Sequence, residues 1–572
     1  MIVQSDRTVL LEVHSPHAEA AREAISPFAE LIKSPEHIHT YRLTPLSVWN
    51  ARSAGIAVAD MLAALRRFSK YPVPESILQE IETLGQRYGL TTIDRMSAID
   101  AQSTESQGCL ILRVSDRPLA ELLARHDSVT ALLGNRLSDT AFSFPAHRRG
   151  LLKQGLLAAG YPAEDIAGYI TGEALSIRLR DQAMSGERFA VRSYQREAAE
   201  AFHQSGSARG GSGTIVLPCG AGKTIVGMAA MAAVGENTLV LTTGQTSINQ
   251  WRREILDKTH LNEDQIAEYT GHIKETGPVT LTTYQILTWR PNREAEFPHF
   301  ALLRQREWGL IIYDEVHLLP AEVFRITAEL QARRRLGLTA TLVREDGRET
   351  DVFALIGPKR YDVPWRDLEG QGYIAAADCT EIRVPMSDDM RMEYALAPNR
   401  QRFRVASENP AKMNALDDVI SHEQEESRDS QARILIIGEY LSQLGEIARQ
   451  IGWPLVVGKT PQTEREEIYR QFRSGLISGL VLSRVGNFAL DLPDADVLIQ
   501  VSGKYGSRQE EAQRLGRILR PKKSGARARF YTLVSQRTCE EEFARNRQIF
   551  LTEQGYRYQI KIIDCEAPSR KV

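Results

Sequence analysis

Two doubly wound α/β lobes behind a mainly helical accessory region are the fold class this chain predicts, and three observations predict it. Strand-plus-helix alternation runs from about residue 190 to 540, punctuated at Gly271, Gly277, Gly337 and Gly458. The apolar stretch Gly213 to Leu217 feeds a small-residue loop and then the helix-forming run Thr224-Ile-Val-Gly-Met-Ala-Ala-Met-Ala-Ala. A second apolar stretch, Trp308-Gly-Leu-Ile-Ile-Tyr, ends in the adjacent carboxylates Asp314 and Glu315.

Residues 1–185 form the accessory region. Helical periodicity over Val58–Phe68 and Pro74–Gly85 is followed by the apolar strand Cys109–Val114, consistent with either a winged-helix-like module or a helical hairpin. The first lobe spans 186–368. It opens with Val191-Arg192-Ser-Tyr194-Gln195, has a flexible loop at Ser205–Gly213, and continues through strands Thr238–Thr242, Val279–Thr282, Leu310–Asp314 and Arg335–Leu338. The second lobe spans 369–540, with strands Ala432–Ile437, Leu455–Val457, Gly479–Leu482 and Val497–Val501 and a polar solvent loop at Ser421–Ser430. Residues 541–572 are a C-terminal extension.

Three motifs carry chemistry. In Val216-Leu-Pro218-Cys219-Gly220-Ala221-Gly222-Lys223-Thr224, backbone N–H groups and a helix N-terminus are set to face phosphate oxygens. Lys223 adds a positive charge at the β/γ-phosphates and Thr224 a hydroxyl for magnesium. The fuller phosphate-loop pattern wants glycine where this chain has Leu217. Cys219 lies just before a helix N-terminus, which lowers a thiol pKa; it is either chemically sensitive or a small residue chosen for fit. In the second motif, alternation aims the two carboxylates differently. Asp314 is assigned to magnesium and Glu315 to orienting and deprotonating the attacking water. His317 either reads the γ-phosphate state or fills a polar niche.

The third motif is Gln513-Arg514-Leu-Gly-Arg517-Ile-Leu-Arg520. Arg517 and Arg520, three apart at a helix start, lie on one face and can stabilise transition-state charge, with Gln513 and Arg514 as supports. Arg192 and Gln195 are placed on the adenine side. Together these parts imply an ATP-hydrolysing motor that uses ATP and Mg2+.

Composition agrees. With 572 residues, 42% hydrophobic and 25% charged, the chain is built for several globular cores. The apolar stretch Ile225–Val234 is too short to cross a bilayer, and Met1-Ile-Val-Gln-Ser-Asp lacks a signal-peptide pattern, so no membrane partner or export is expected. Five cysteines without zinc-type spacing suggest a reducing, cytoplasmic compartment. A net charge of −2 excludes a globally basic coat, so any nucleic-acid site is a local channel.

These motifs resemble the XPB family of superfamily 2 DNA helicases. The likeness rests on Leu217-Pro-Cys-Gly-Ala-Gly-Lys-Thr, Trp308-Gly-Leu-Ile-Ile-Tyr-Asp-Glu-Val-His, Leu336-Gly-Leu-Thr-Ala-Thr-Leu-Val-Arg-Glu-Asp346 and Asp491-Leu-Pro-Asp-Ala-Asp-Val-Leu-Ile-Gln. It continues through Glu511-Ala-Gln-Arg-Leu-Gly-Arg-Ile-Leu-Arg, Phe550-Leu-Thr-Glu-Gln-Gly-Tyr556 and the N-terminal Ser34-Pro-Glu-His-Ile-His-Thr-Tyr-Arg-Leu-Thr, and is weakest over 100–180. The resemblance implies two RecA-like helicase lobes, 3′-to-5′ movement on single-stranded and forked DNA, duplex opening, and a role in nucleotide excision repair or transcription. It further implies that Arg344-Glu345-Asp346 is the family's RED motif, acting on the strands at the fork. A salt-bridged loop is the alternative for that triplet. Residues 386–412 fall where the family carries a thumb. The acidic insertions of eukaryotic members are absent, which favours a compact prokaryotic-type member, and a structure-specific nuclease is an implied partner. Two other readings stay open: a duplex translocase without strand separation, and an ATP-gated nucleic-acid scaffold. RNA is the third possible track, although no residue here reads a 2′-hydroxyl.

Overall fold

The computed structural model describes the chain except residues 34–36, 97–108, 187, 208–209, 219, 293–296, 303–305, 320–322, 324–332, 341–348, 364, 427–431, 484–494, 504–514, 516–526, 554–555 and 564–572. It divides into two compact units, Met1–Leu217 with Gly222–Asp362, and Pro218–Ala221 with Val363–Val572.

Each unit carries a seven-stranded, all-parallel sheet of the RecA-like kind. In the first the strand order is Ile266–Tyr269, Val279–Thr283, Thr238–Thr242, Leu310–Asp314, Arg334–Thr339, Ser212–Val216, Lys359–Asp362. Parallel sheets are covered on both faces, so their inner strands are continuous apolar runs. Leu310, Ile311, Ile312 and Tyr313 are all fully buried, and the helix Lys223–Val234 buries both its sides. In the second unit the order is Leu455–Val456, Gly479–Leu482, Ile434–Ile437, Val497–Gln500, Ala528–Ser535, Ala377–Val384, Arg557–Ile562. The last of these strands comes from the segment read as a C-terminal extension. Two short helices, Asp388–Leu396 and Asn399–Ser407, lie within residues 386–412.

Two sequence expectations need correction. The polar segment at Ser421–Ser430 is helical as far as Glu426, because Glu423 is a buried acceptor for Tyr531 (2.6 Å) and Glu426 for Arg529 (2.6 Å). Ser212, placed in a loop, already belongs with Gly213 to the strand Ser212–Val216, next to the sheet edge, where Arg360 donates to the Ser212 carbonyl (3.0 Å).

The accessory region has the expected helices at Val58–Phe68 and Glu75–Arg87, but it also contains two sheets; the helices share a core with the first, and the second has a core of its own. One is four-stranded and antiparallel, ordered Ile2–Val3, Thr8–Glu12, Ile38–Arg42, Glu30–Lys33; the other is five-stranded, ordered Arg136–Ser138, Ala141–Pro145, Cys109–Val114, Thr91–Arg95, Glu164–Asp165. This region is fastened to the first parallel sheet. Trp49 and Leu157 enter the same apolar core as Ile311 and Tyr313. The Asn50 side chain accepts from the Lys359 N–H (2.8 Å), and Gln154 donates to Asp351 (2.9 Å). Arg149 donates to Asp165 (2.9 Å) inside this packing, with Lys153 3.4 Å from the same carboxylate. Burial alone would raise the Asp165 carboxyl, but Arg149 and Lys153 bring it down to about 2. Burial pulls Lys153 down to about 8 against the attraction of Asp165. No helix among the described residues is long and apolar enough to cross a membrane.

Candidate nucleotide and hydrolysis site

The strand Ser212–Val216 delivers the chain to the phosphate loop, and the Leu217 N–H is held by the Thr339 carbonyl (2.9 Å). Gly220 and Gly222 adopt φ of 81° and 80°, the left-handed region open to glycine at little cost. Gly222 caps the helix Lys223–Val234, and a Cβ there would sit 2.6 Å from the Gln195 side-chain nitrogen. Gln195 is 97% buried, and its side-chain Oε1 accepts from the Arg192 N–H (3.0 Å), fixing the start of the helix Ser193–His203. Gln195 is therefore beside the loop's helix end, with Arg192 bonded to it. Pro218, Gly220 and Ala221 are in the loop, with the Ala221 N–H turning back to the Pro218 carbonyl (3.2 Å). Cys219 lies outside the described residues.

The strand Leu310–Asp314 brings the two carboxylates to the same sheet edge, where Asp314 meets Trp251 and Glu315 meets Lys223. Glu315 turns out of the strand at φ 52°, ψ 54°, an uncommon conformation for a residue with a side chain. It pairs with Lys223, Nζ to Oε1 2.9 Å, both side chains largely buried. Its other oxygen is 3.4 Å from His317 Nδ1, and that nitrogen is 2.8 Å from the Thr339 hydroxyl. His317 is thus tied, deep in the lobe, to the strand end that precedes Ala340 and Thr341.

Asp314 is held from two sides. Trp251 Nε1 donates to its Oδ2 (2.9 Å), and the Tyr284 hydroxyl donates to its carbonyl oxygen (2.8 Å). Trp251, 1% exposed, reaches this point across Gly227, where a Cβ would come within 2.4 Å of the indole. Burial, with Glu315 next, pushes the Asp314 carboxyl up to about 6, opposed by the Trp251 hydrogen bond and Lys223. Trp251 and Tyr284 were not singled out from sequence. Nothing local marks them, since they lie 63 and 30 residues before Asp314 and meet it only through the sheet order.

The donors suit a magnesium ion. A carboxylate whose ionised form is disfavoured by burial and a like-charged neighbour gains from a cation, and the Asp314 carboxylate with the Thr224 hydroxyl is the hard-oxygen set that magnesium takes alongside phosphates. Of the remaining candidates, Gln513, Arg514, Arg517 and Arg520 and the triplet Arg344, Glu345, Asp346 lie outside the described residues. Between them only Leu515 is described, and it is fully buried.

Residues 368–570 match the family model described as ERCC3/RAD25/XPB C-terminal helicase, residues 188–344 the type III restriction enzyme res subunit, and residues 1–138 a helicase conserved C-terminal domain. The chain is 50% identical to the DNA 3′-5′ helicase XPB of Kineococcus radiotolerans, over 98% of this chain and 96% of that one. It is 49% identical to the protein of the same name from Mycobacterium tuberculosis, over 99% and 98%. It is 33% identical to the general transcription and DNA repair factor IIH helicase/translocase subunit XPB/SSL2 of Saccharomyces cerevisiae, over 98% of this chain and 71% of that one.

Proposed function

This chain belongs to the XPB family of helicases, and from that premise we propose that it is an ATP-dependent DNA helicase moving 3′ to 5′ and opening duplex DNA in excision repair or transcription-linked work. The observation that carries the reading is the 2.9 Å pairing of Lys223 with Glu315 beside Asp314. It brings a phosphate-binding cation and a base to one point at the carboxyl edge of a parallel sheet, where such folds bind nucleotides.

The residues divide the work. The N–H groups of Gly220 to Thr224 and the Lys223 ammonium hold the β- and γ-phosphates. Lys223 and Glu315 neutralise one another, so an entering triphosphate competes for Lys223 and releases Glu315 toward water. Glu315 then takes a proton from that water as its oxygen bonds to the γ-phosphorus, and the bond from the γ-phosphorus to the β-phosphate oxygen breaks to leave ADP. Asp314 and Thr224 would hold magnesium, which when bound offsets the phosphate charge. Trp251 and Tyr284 keep Asp314 aimed, and Gln195 and Arg192 take the adenine side. Arg517 and Arg520, supported by Gln513, are assigned to the charge that develops in the transition state, and Arg344, Glu345 and Asp346 to the fork. His317 links Glu315 to Thr339 at the end of its strand.

The domain plan belongs to the same proposal: an accessory region at 1–185, lobes at 186–368 and 369–540 with a thumb near 386–412, and an extension at 541–572. So do a cytoplasmic setting and a structure-specific nuclease partner. The test compares strand displacement on duplexes with a 3′ or a 5′ single-stranded tail, with ATP turnover measured in the same reactions. Displacement confined to the 3′ tail supports the reading. Turnover without displacement on either tail would replace the helicase by a duplex translocase, and no DNA-stimulated turnover would remove both.

A further inference from the structure

A cluster of aromatic and cationic side chains lies at the far end of the first parallel sheet, away from the phosphate loop. Tyr269 ends the edge strand Ile266–Tyr269 on the same carboxyl edge that carries Asp314 and Thr283. His299 packs edge-on to Tyr269, ring centroids 5.7 Å apart, and the Tyr269 hydroxyl and His299 Nδ1 share a 2.9 Å hydrogen bond. Trp289 lies against the same histidine, centroids again 5.7 Å apart, and is 52% exposed. Lys274 stands 4.8 Å over the Tyr269 ring, and the Arg290 guanidinium lies 4.9 Å over Phe297. The tight turn between Thr270 and Ile273 folds Lys274 back beside Tyr269.

An indole half in water beside two further rings has not been placed to fill a core. The cluster offers an exposed indole face backed by two tilted rings, with one cation over Tyr269 and another over Phe297. Glu268, the carboxylate on the same strand, is engaged by Gln245 (3.2 Å) and faces Arg252 (3.9 Å). Aromatic faces interleaved with cations are what a single-stranded nucleic acid uses: bases stack on the rings irrespective of sequence, and phosphates meet the cations. A phosphate chain crossing the carboxyl edge of the sheet from the nucleotide site would arrive at this cluster.

We propose that Trp289, on its support of His299 and Tyr269, is a stacking platform for a base of single-stranded DNA, with Lys274 and Arg290 contacting the flanking phosphates. The inference rests on the DNA-helicase reading and adds to it a contact outside the motifs that carry hydrolysis. Trp289 holds the strand and takes no part in ATP chemistry.

The experiment uses the full chain and a labelled oligothymidine, followed by fluorescence anisotropy across a salt series. Trp289→Ala is expected to weaken binding about tenfold. Trp289→Phe should keep most of the affinity, and Lys274→Ala should lower the slope of log affinity against log salt by about one. DNA-independent ATP turnover and thermal melting should match wild type in all three. Photocrosslinking of wild type to a bromodeoxyuridine oligonucleotide should label Trp289 or Tyr269. Wild-type binding left intact by Trp289→Ala, or crosslinks confined to other segments, would overturn the platform and assign the patch to a protein partner, with the helicase reading standing. Wild type that binds no single-stranded DNA would overturn both.

Discussion

Replacing Trp251 with phenylalanine tests how the fold sets the chemistry of Asp314. The substitution keeps an aromatic ring against Gly227 but removes the Nε1 donor that lies 2.9 Å from Asp314 Oδ2. A hydrogen bond to a charged group contributes about 1.5–3 kcal/mol. Here it favours the ionised carboxylate, which burial and Glu315 already hold up at about 6. Since 1.36 kcal/mol is tenfold in an acid dissociation constant, its loss moves Asp314 from mostly ionised at pH 7 to about half ionised or less. Magnesium needs the ionised form, so the magnesium concentration for half-maximal ATP turnover at pH 7 is expected to rise by about twofold to tenfold. The gap should close at pH 8.5, where wild type and variant are both ionised. Thermal melting should show a modest loss from the smaller ring. A magnesium dependence unchanged at pH 7, or changed equally at both pH values, would refute the argument.

Other perturbations separate parts of the machine. Gly222→Ala places a Cβ 2.6 Å from the Gln195 amide at a φ of 80°, and should weaken ATP binding at least tenfold with the fold retained, as measured by nucleotide titration and melting. Alanine at Arg344, Glu345 and Asp346 together should leave most ATP turnover but abolish forked-duplex opening; full unwinding would remove the triplet from the mechanism. Lys153 has a folded-state pKa of about 8, below its ordinary value near 10.4, so the unfolded chain binds the extra proton between these pH values. Stability should therefore rise as pH increases through that window, and Lys153→Met, which has no titrating group, should show a flatter profile in denaturant melts.

What the sequence made legible follows from burial. Strands such as Leu310–Asp314 and Val497–Gln500 are covered on both faces and stand out as apolar runs. Strands at or near sheet edges do not. In Lys359-Arg-Tyr-Asp362 the two end charges pair with each other, while Arg360 and Tyr361 find their partners, Ser212 and Glu197, far away in the chain. Arg557–Ile562 is mostly exposed, so its alternation is weak. The accessory sheets were hidden for a related reason: Ile38-His-Thr-Tyr-Arg42 turns inward His39 and Tyr41, residues that do not read as core. At the site, the phosphate loop and carboxylates were readable because their chemistry needs neighbours in sequence. Trp251, Tyr284 and the Tyr269–His299–Trp289 cluster were not, because only the order of parallel strands brings them together.

The central claim is that Glu315, released from Lys223, activates the water whose attack on ATP drives duplex opening. The most direct measurement is Glu315→Gln compared with wild type and Lys223→Ala, in nucleotide binding, ATP turnover and strand displacement on one forked duplex. The amide keeps the shape but takes no proton, so Glu315→Gln should bind ATP about as well as wild type while turnover falls by about a hundredfold or more and displacement falls with it. Lys223→Ala should lose binding and turnover together. Normal turnover in Glu315→Gln, or displacement that persists without turnover, would contradict the account.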